Sequence, residues 1–467
     1  MSAFRPAQKH AELGDGFFDI VQPARFPELT LRYRNQRWAA RVGLDQLTDE
    51  QWRAHFGAFQ PLPGSFEQPL ALRYHGHQFQ TYNPDLGDGR GFLFAQAYDL
   101  ADNRLLDFGT KGSGRTPWSR TADGRLTLKG GVREVLATEM LEALGVDTSK
   151  SFSLIETGEE LERGDEPSPT RSSVLVRLSH SHIRIGSFQR FAAFKDEARL
   201  AKLLDYSVAT YMPELNGPDQ AGRTVAFLGQ VARNVARTGA RWIAAGFVHG
   251  VLNTDNINIT GESFDYGPWR FLPTYDPAFT AAYFDQSGLY AFGRQPDALA
   301  WNLTRLAECL LPLAPLPDLE AALNQFWPAF QRELSLAILE RLGLASAGAE
   351  TDGEMVATLF TALFATQASY EQFFFDWRGG NAQRAAKSPS AALYDLPGFT
   401  PLRDVLAAYK AVADANLDHP YFARLTPRTM LIDDVEALWQ HIAEADDWSA
   451  FNAVLADIGV MRNAYGR

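Results

Sequence analysis

Residues 249–267 read HGVLNTDNINITGESFDYG, and the polar groups in this stretch decide how the rest of the chain is read. Asp255 and Asn256 are adjacent in a polar loop. The run Ile257, Asn258, Ile259 alternates apolar and polar, which predicts a short strand. A turn at Gly261, Glu262 and Ser263 then reverses the chain, and Asp265 follows the apolar Phe264. A hairpin of this kind brings Asp265 back beside Asn256. One carboxylate, one amide oxygen and several waters suit a small, hard ion such as Mg²⁺, which keeps much of its water and shares its other positions with phosphate.

The spacing is that of a kinase-type catalytic loop with one residue out of place. That pattern is H-R-D-x-x-x-x-N, followed by a metal-binding Asp in D-F-G. His249 is its first residue, Asn256 stands seven further on, and Asp265 in FDYG takes the D-F-G role. The base position is Val251, which cannot accept a hydroxyl proton, while a carboxylate sits close by at Asp255. Taken alone, NTDN is better read as a turn-former. Three matching positions, with a phosphate-type loop upstream, favour a site.

Composition narrows the class. The 467 residues are too many for one simple core, and 46% hydrophobic with 21% charged residues is ordinary globular usage. A net charge of −12 argues against a general nucleic-acid binder. Cys309 is the only cysteine, so no intrachain disulfide can form, and its apolar setting LAECLLPL predicts a buried, inert thiol. The N-terminus has no apolar signal region and no stretch is long and apolar enough to span a membrane, so a cytoplasmic, non-membrane protein is expected, acting as a monomer.

Upstream, residues 1–60 read as an aromatic-rich, irregular extension with one helix near 48–56, started by a Thr48 cap. His75-Gly-His77 has no third ligand nearby and reads as structural. Gly87-Asp88-Gly89-Arg90-Gly91 precedes the strand-like FLFAQAYD, and its glycines permit close backbone approach to anionic oxygen. Asp107-Phe108-Gly109 lies too early to serve as a D-F-G and reads as strand, with Lys111 at its end as the candidate phosphate-binding lysine. A surface lysine is the plainer reading, but Lys111 lies between a glycine-rich loop and a helix, about 131–144, that carries Glu134 in its first turn. In a kinase-like arrangement that carboxylate pairs with the strand lysine; Glu139 and Glu142 are the competitors.

Two further strand runs, SFSLIETGE and SSVLVRLSHSHIRIG, are joined by the loop 159–171. The second carries Arg177 and Arg184. A guanidinium on an apolar strand needs an anion, either a salt-bridged carboxylate or a nucleotide phosphate. From about residue 195 the chain turns helical, and one long amphipathic helix leads straight into His249.

The motifs YHGHQFQ, LGDGRG, KGSGRTPWSR, VREVLATEML, VLVRLSHSHIRIGSFQ, HGVLNTDNINI and FDYGP together resemble the selenoprotein O family of kinase-like protein adenylyltransferases, over roughly residues 65–310. The resemblance implies an α+β, protein-kinase-like two-lobed fold: an extension over 1–60, a strand-rich N-lobe over 61–194, and a mainly helical C-lobe with a C-terminal extension over 195–467. It implies transfer of AMP from ATP, bound in a flipped orientation, to Ser, Thr or Tyr hydroxyls of protein substrates, with Mg²⁺ or alternatively Mn²⁺. It places the acid/base aspartate on Asp255 and the metal ligands on Asn256 and Asp265. Nucleotide contacts fall on Gly87, Gly89, Arg90, Lys111, Asp123, Gly124, Arg177, Arg184 and Asp265, and the lysine-pairing glutamate on Glu134. Two departures stand out. Gly130-Gly131 replaces a common Ser-Ser, and the tail VLADIGVMRNAYGR lacks the selenocysteine or cysteine that many members carry. The last 80 or so residues match poorly.

Overall fold

Short alternating runs pair here into one large sheet. In a computed structural model, which describes residues 3–164, 166–217 and 219–467, the strands in chain order are β1 (Pro6–Ala7), β2 (Phe18–Ile20), β3 (Thr30–Arg34), β4 (Leu70–Leu72), β5 (Gly76–Gln78), β6 (Thr81–Asn83), β7 (Leu93–Tyr98), β8 (Leu105–Lys111), β9 (Leu126–Thr127), β10 (Lys150–Leu161) and β11 (Thr170–Ser179). The main sheet has nine strands in the order β2-β4-β7-β8-β11-β10-β3, with β1 on β7 and β9 on β11, and its pairs are antiparallel. β5 and β6 form a separate hairpin. The irregular reading of residues 1–60 is thus corrected: that segment supplies β1, β2 and β3.

Helices cover both faces. α1 (Gln36–Arg41) and α2 (Asp49–Phe56) carry Trp38, Trp52 and Phe56 into a core shared with Phe108, Val174, Val176 and Leu178. α2 starts as expected, on a capping box in which Thr48 Oγ1 accepts from Gln51 N and Gln51 Oε1 accepts from Thr48 N. On the other face α3 (Leu128–Ala143) packs Val132, Val135 and Leu136 with Leu105 and Leu175. This alternation along β8 and β11 follows from the two-residue period of a strand. α3 begins earlier than expected, because Thr127 Oγ1 accepts from Gly130 N at 3.1 Å. Glu134 therefore stands in its second turn, not its first.

β11 ends at Ser179, and residues 180–184 leave the sheet, so Arg184 is not on a strand. It occupies the N-cap position of α4 (Ile185–Ala193). α5 (Glu197–Tyr211) follows, then the 26-residue α6 (Gln220–Ala245). α6 stops at Gly246, whose φ of +65° suits glycine; a Cβ there would stand 2.6 Å from the Tyr370 ring. β12 (Phe247–His249) and β13 (Trp269–Phe271) then pair around the loop. Residues 257–259 do not form the expected strand; Asn258 makes a single bridge to Arg184. The alternation misleads because Asn258 is as buried as its isoleucine neighbours, its side chain bonded to Ser181 O and Thr260 N.

The remainder is helical: α7 (Gln295–Leu310), α8 (Leu316–Leu323), α9 (Phe326–Leu342), α10 (Ala349–Thr366), α11 (Tyr370–Asp376), α12 (Ala382–Ala385), α13 (Ala391–Tyr394), α14 (Thr400–Leu406), α15 (Ile432–Ala445) and α16 (Ser449–Ala464). Cys309 on α7 is buried, its Sγ donates to Arg305 O at 3.0 Å, and burial pushes the thiol up to about 12. Among the described residues no helix is long and apolar enough to cross a membrane.

Candidate active site

The register of β8 against β11 places Leu175 opposite Lys111 and Arg177 opposite Gly109. Lys111 and Arg177 are therefore neighbours on the sheet face that α3 covers. Both are buried, and Glu134 on α3 meets both: Lys111 Nζ lies 2.5 Å from Glu134 Oε2, and Arg177 Nη1 lies 3.5 Å from Oε1. A buried cation needs such a partner, since desolvation without one costs several kcal/mol, on the order of its whole interaction energy. Of the three candidate glutamates, Glu134 makes the pair. Glu139 and Glu142 instead bond to Arg462 and Arg37.

Asp265 completes the cluster. Its carboxylate stands 2.9 Å from Lys111, 3.2 Å from Arg177 and 3.9 Å from Arg184. Burial pushes this carboxyl up, but Lys111, then Arg177 and Arg184, hold it well below the usual carboxylate range. Its φ is +65°, a left-handed conformation that a non-glycine residue adopts at some cost. Arg184 ties the cluster to its surroundings, donating to Asp88 Oδ1 at 3.2 Å and to the Asp255 carbonyl at 3.0 Å.

Asp255 is buried, and its Oδ1 has no hydrogen-bond partner among the described residues. Burial pushes its carboxyl up to about 6, with Arg184 opposing and Asp265 adding to the rise. The loop is pinned on both sides. His249 Nε2 meets Phe264 O and its Nδ1 accepts from Val251 N, while the β5 hairpin binds Thr254 Oγ1 through His77 N and Asn253 Oδ1 through Phe79 N. His75 and His77 are thus structural, bonded to Tyr82, Arg190 and Gln189.

Asn256 Nδ2 donates to Val251 O at 3.0 Å, which leaves its carbonyl oxygen for a cation. Asn256 and Asp265 are not bonded to each other. Among the described residues no three His, Cys, Asp or Glu side chains cluster as a metal site. With Asp265 already ringed by three cations, the protein alone offers too few negative oxygens for a divalent ion. The set fits such an ion together with a polyphosphate that supplies further oxygens.

The other predicted residues lie around this cluster rather than in it. Gly87 and Gly89 pack on Trp118: a Cβ at Gly87 would stand 2.3 Å from its ring and one at Gly89 2.8 Å from its carbonyl oxygen. Thr116 Oγ1 donates to Asp88 O at 2.5 Å, Ser119 Oγ donates to Gly89 O, and Leu72 N donates to Asp88 Oδ2 at 3.1 Å. Arg90 and Lys111 line a cavity of about 500 Å³. Asp123 is bridged by Arg163 at 2.8 Å, and Gly124 packs on Gly114; neither touches the cluster, although Arg163 and Arg125 beside them line the same cavity. Asp88, the partner of Arg184, was missed by sequence reasoning. A carboxylate between two glycines was the available signal.

A strand lysine braced by a helix glutamate, facing a carboxylate ringed with cations, has the charge arrangement to hold phosphate. Residues 3–459 match the family described as Protein adenylyltransferase SelO. Proteins named Protein nucleotidyltransferase YdiU are similar along nearly the full length. One from Gloeobacter violaceus is 45% identical, covering 97% of this chain and 94% of its own, and one from Synechocystis sp. is 44% identical, covering 94% of each. A relative from Vibrio cholerae is 37% identical over 80% of this chain and 74% of its own. The protein is an enzyme of the nucleotidyltransferase class. It belongs to the SelO family. The match corrects the extent expected from the motifs: it reaches well beyond 65–310 and includes most of the tail.

Proposed function

We propose that the protein transfers AMP from ATP to Ser, Thr or Tyr hydroxyls of other proteins and releases pyrophosphate. In this reading the sheet with α3 forms one lobe of a kinase-like arrangement and the helices from α5 onward the other, with the cluster between them. The observation that carries it is Lys111 held between Glu134 and Asp265, with valine at the kinase base position and Asp255 nearby. The substrate hydroxyl attacks the α-phosphorus, the bond from that phosphorus to the β-bridging oxygen breaks, and pyrophosphate leaves with the electron pair. Asp255 takes the hydroxyl proton; its unbonded Oδ1 and its value of about 6 suit an acceptor at neutral pH. Lys111, Arg177 and Arg184 offset the charge that develops on the leaving group, and Arg90, Gly87, Gly89, Asp123 and Gly124 bound the nucleotide. Asn256 and Asp265 would hold Mg²⁺ or Mn²⁺, which when bound neutralises phosphate charge.

Incubation with α-labelled ATP and a protein mixture should label protein hydroxyls, and Asp265→Ala should abolish the labelling. Label arriving only from the γ-position would identify a phosphotransferase instead. Thermal stabilisation by ATP with no transfer under any divalent ion would identify an inactive nucleotide-binding scaffold.

A further inference from the structure

The cavity that Arg90 and Lys111 line is also walled by cations given no role above. Lys129 and Arg133 reach it from α3 and Arg270 from β13. Arg133 Nη2 and Arg270 Nη1 donate to the same oxygen, the Trp269 carbonyl, at 3.4 and 2.8 Å. Two guanidiniums thus converge on one atom. The carboxylate nearest them is Glu436 of α15, 3.4 Å from Arg133 and shared with Lys129 at 2.7 Å. Arg270 has no carboxylate within 4 Å among the described residues. Arg133 is further fixed by lying over the Trp269 ring, 5.1 Å from its centre.

The imbalance extends along the cavity wall, where seven cationic side chains meet three carboxylates in a chain whose net charge is −12. Burial and the neighbouring Arg270 push Arg133 down to about 10, and burial also lowers Arg270. Like charges held this close oppose each other until an anion enters between them. Forked guanidinium donors with an ammonium beside them match a multiply charged phosphate better than a single carboxylate.

We propose that Lys129, Arg133 and Arg270 form a binding subsite for a pyrophosphate group, either the free anion or the β,γ end of a bound nucleoside triphosphate. The choice of pyrophosphate rests on the AMP-transfer reading, in which that anion is the co-product; the convergence of cations does not.

Calorimetric titration of the full chain with inorganic pyrophosphate, ATP and AMP tests this. In Arg270→Ala the affinity for pyrophosphate should fall about tenfold. Arg270→Lys should recover most of it, and AMP should bind as before. A parallel fall for ATP would mean that the subsite holds the tail of the bound nucleotide; an unchanged ATP affinity would mean that it receives the released anion. Arg133→Gln gives a second, independent reading, and melting curves confirm that each variant is folded. Pyrophosphate affinity within about twofold of the parent in both variants would overturn the subsite. Failure of α-label transfer would remove the AMP-transfer reading and leave this titration standing, so the two fail separately.

Discussion

At Asp255 the backbone and the side chain have separate duties. The carbonyl is gripped by Arg184, which sets the position of the loop, while the carboxyl keeps a buried oxygen unbonded. Asp255→Asn preserves shape and removes the carboxylate proposed above as proton acceptor. Turnover of α-labelled ATP should fall by about 100- to 10,000-fold, with ATP affinity by calorimetry nearly unchanged; equal losses in both would show that Asp255 acts only as a scaffold. Asp265 calls for a different substitution strategy. Its left-handed φ is tolerated by asparagine better than by alanine, so Asp265→Asn isolates loss of charge from backbone strain.

The turn behind the cluster carries its own titrating group. Glu262 is buried, its Oε2 accepts from His180 N at 2.8 Å, and burial, then the charge of Asp147, push its carboxyl up to about 8 from an ordinary 4.5. Between those values the unfolded chain has lost this proton and the folded chain keeps it. Folding therefore takes up a proton, and stability falls as pH rises from about 4.5 through 8, levelling off above. Glu262→Gln should flatten that slope, as read from urea midpoints at several pH values between 5 and 9. Elements with their signals close in sequence were legible beforehand: the Thr48 cap announces α2, the long apolar stripe announces α6, and the strand ending at Lys111 is plain. What pairs at a distance was not. β3 has its partner β10 more than a hundred residues away, and Ile257, Asn258 and Ile259 mimic a strand because tertiary contacts bury the asparagine too. Lys111, Glu134 and Asp265 could be named from motif order, but Arg184 lies on a cap rather than the strand its neighbours suggested.

Across the whole molecule the C-terminal helices return to brace α3 and β11. Arg462 on α16 pairs with Glu139, whose other carboxylate oxygen accepts from Tyr33 at 2.8 Å and from Asn35. Asp446 meets Arg171 at 2.6 Å, and Glu436 meets Lys129. Arg462→Ala takes the nearest cation from a buried carboxylate, leaving Arg37 4.0 Å away, and should lower the unfolding free energy by roughly 3 kcal/mol, measured by urea denaturation, with Arg462→Lys recovering part of the loss. A change within about 0.5 kcal/mol, the range of ordinary surface substitutions, would mean that Tyr33 and Asn35 suffice. The glycine loop at 87–91 is anchored from the opposite side, wedged on Trp118 and tied at Asp88 and Gly89. Those contacts hold its backbone at both ends of the Asp88 peptide. Two bare aromatic rings, Tyr283 at 84% and Phe284 at 46% exposure, complete the cavity wall, so a protein substrate docking beside the nucleotide would meet an apolar landing there.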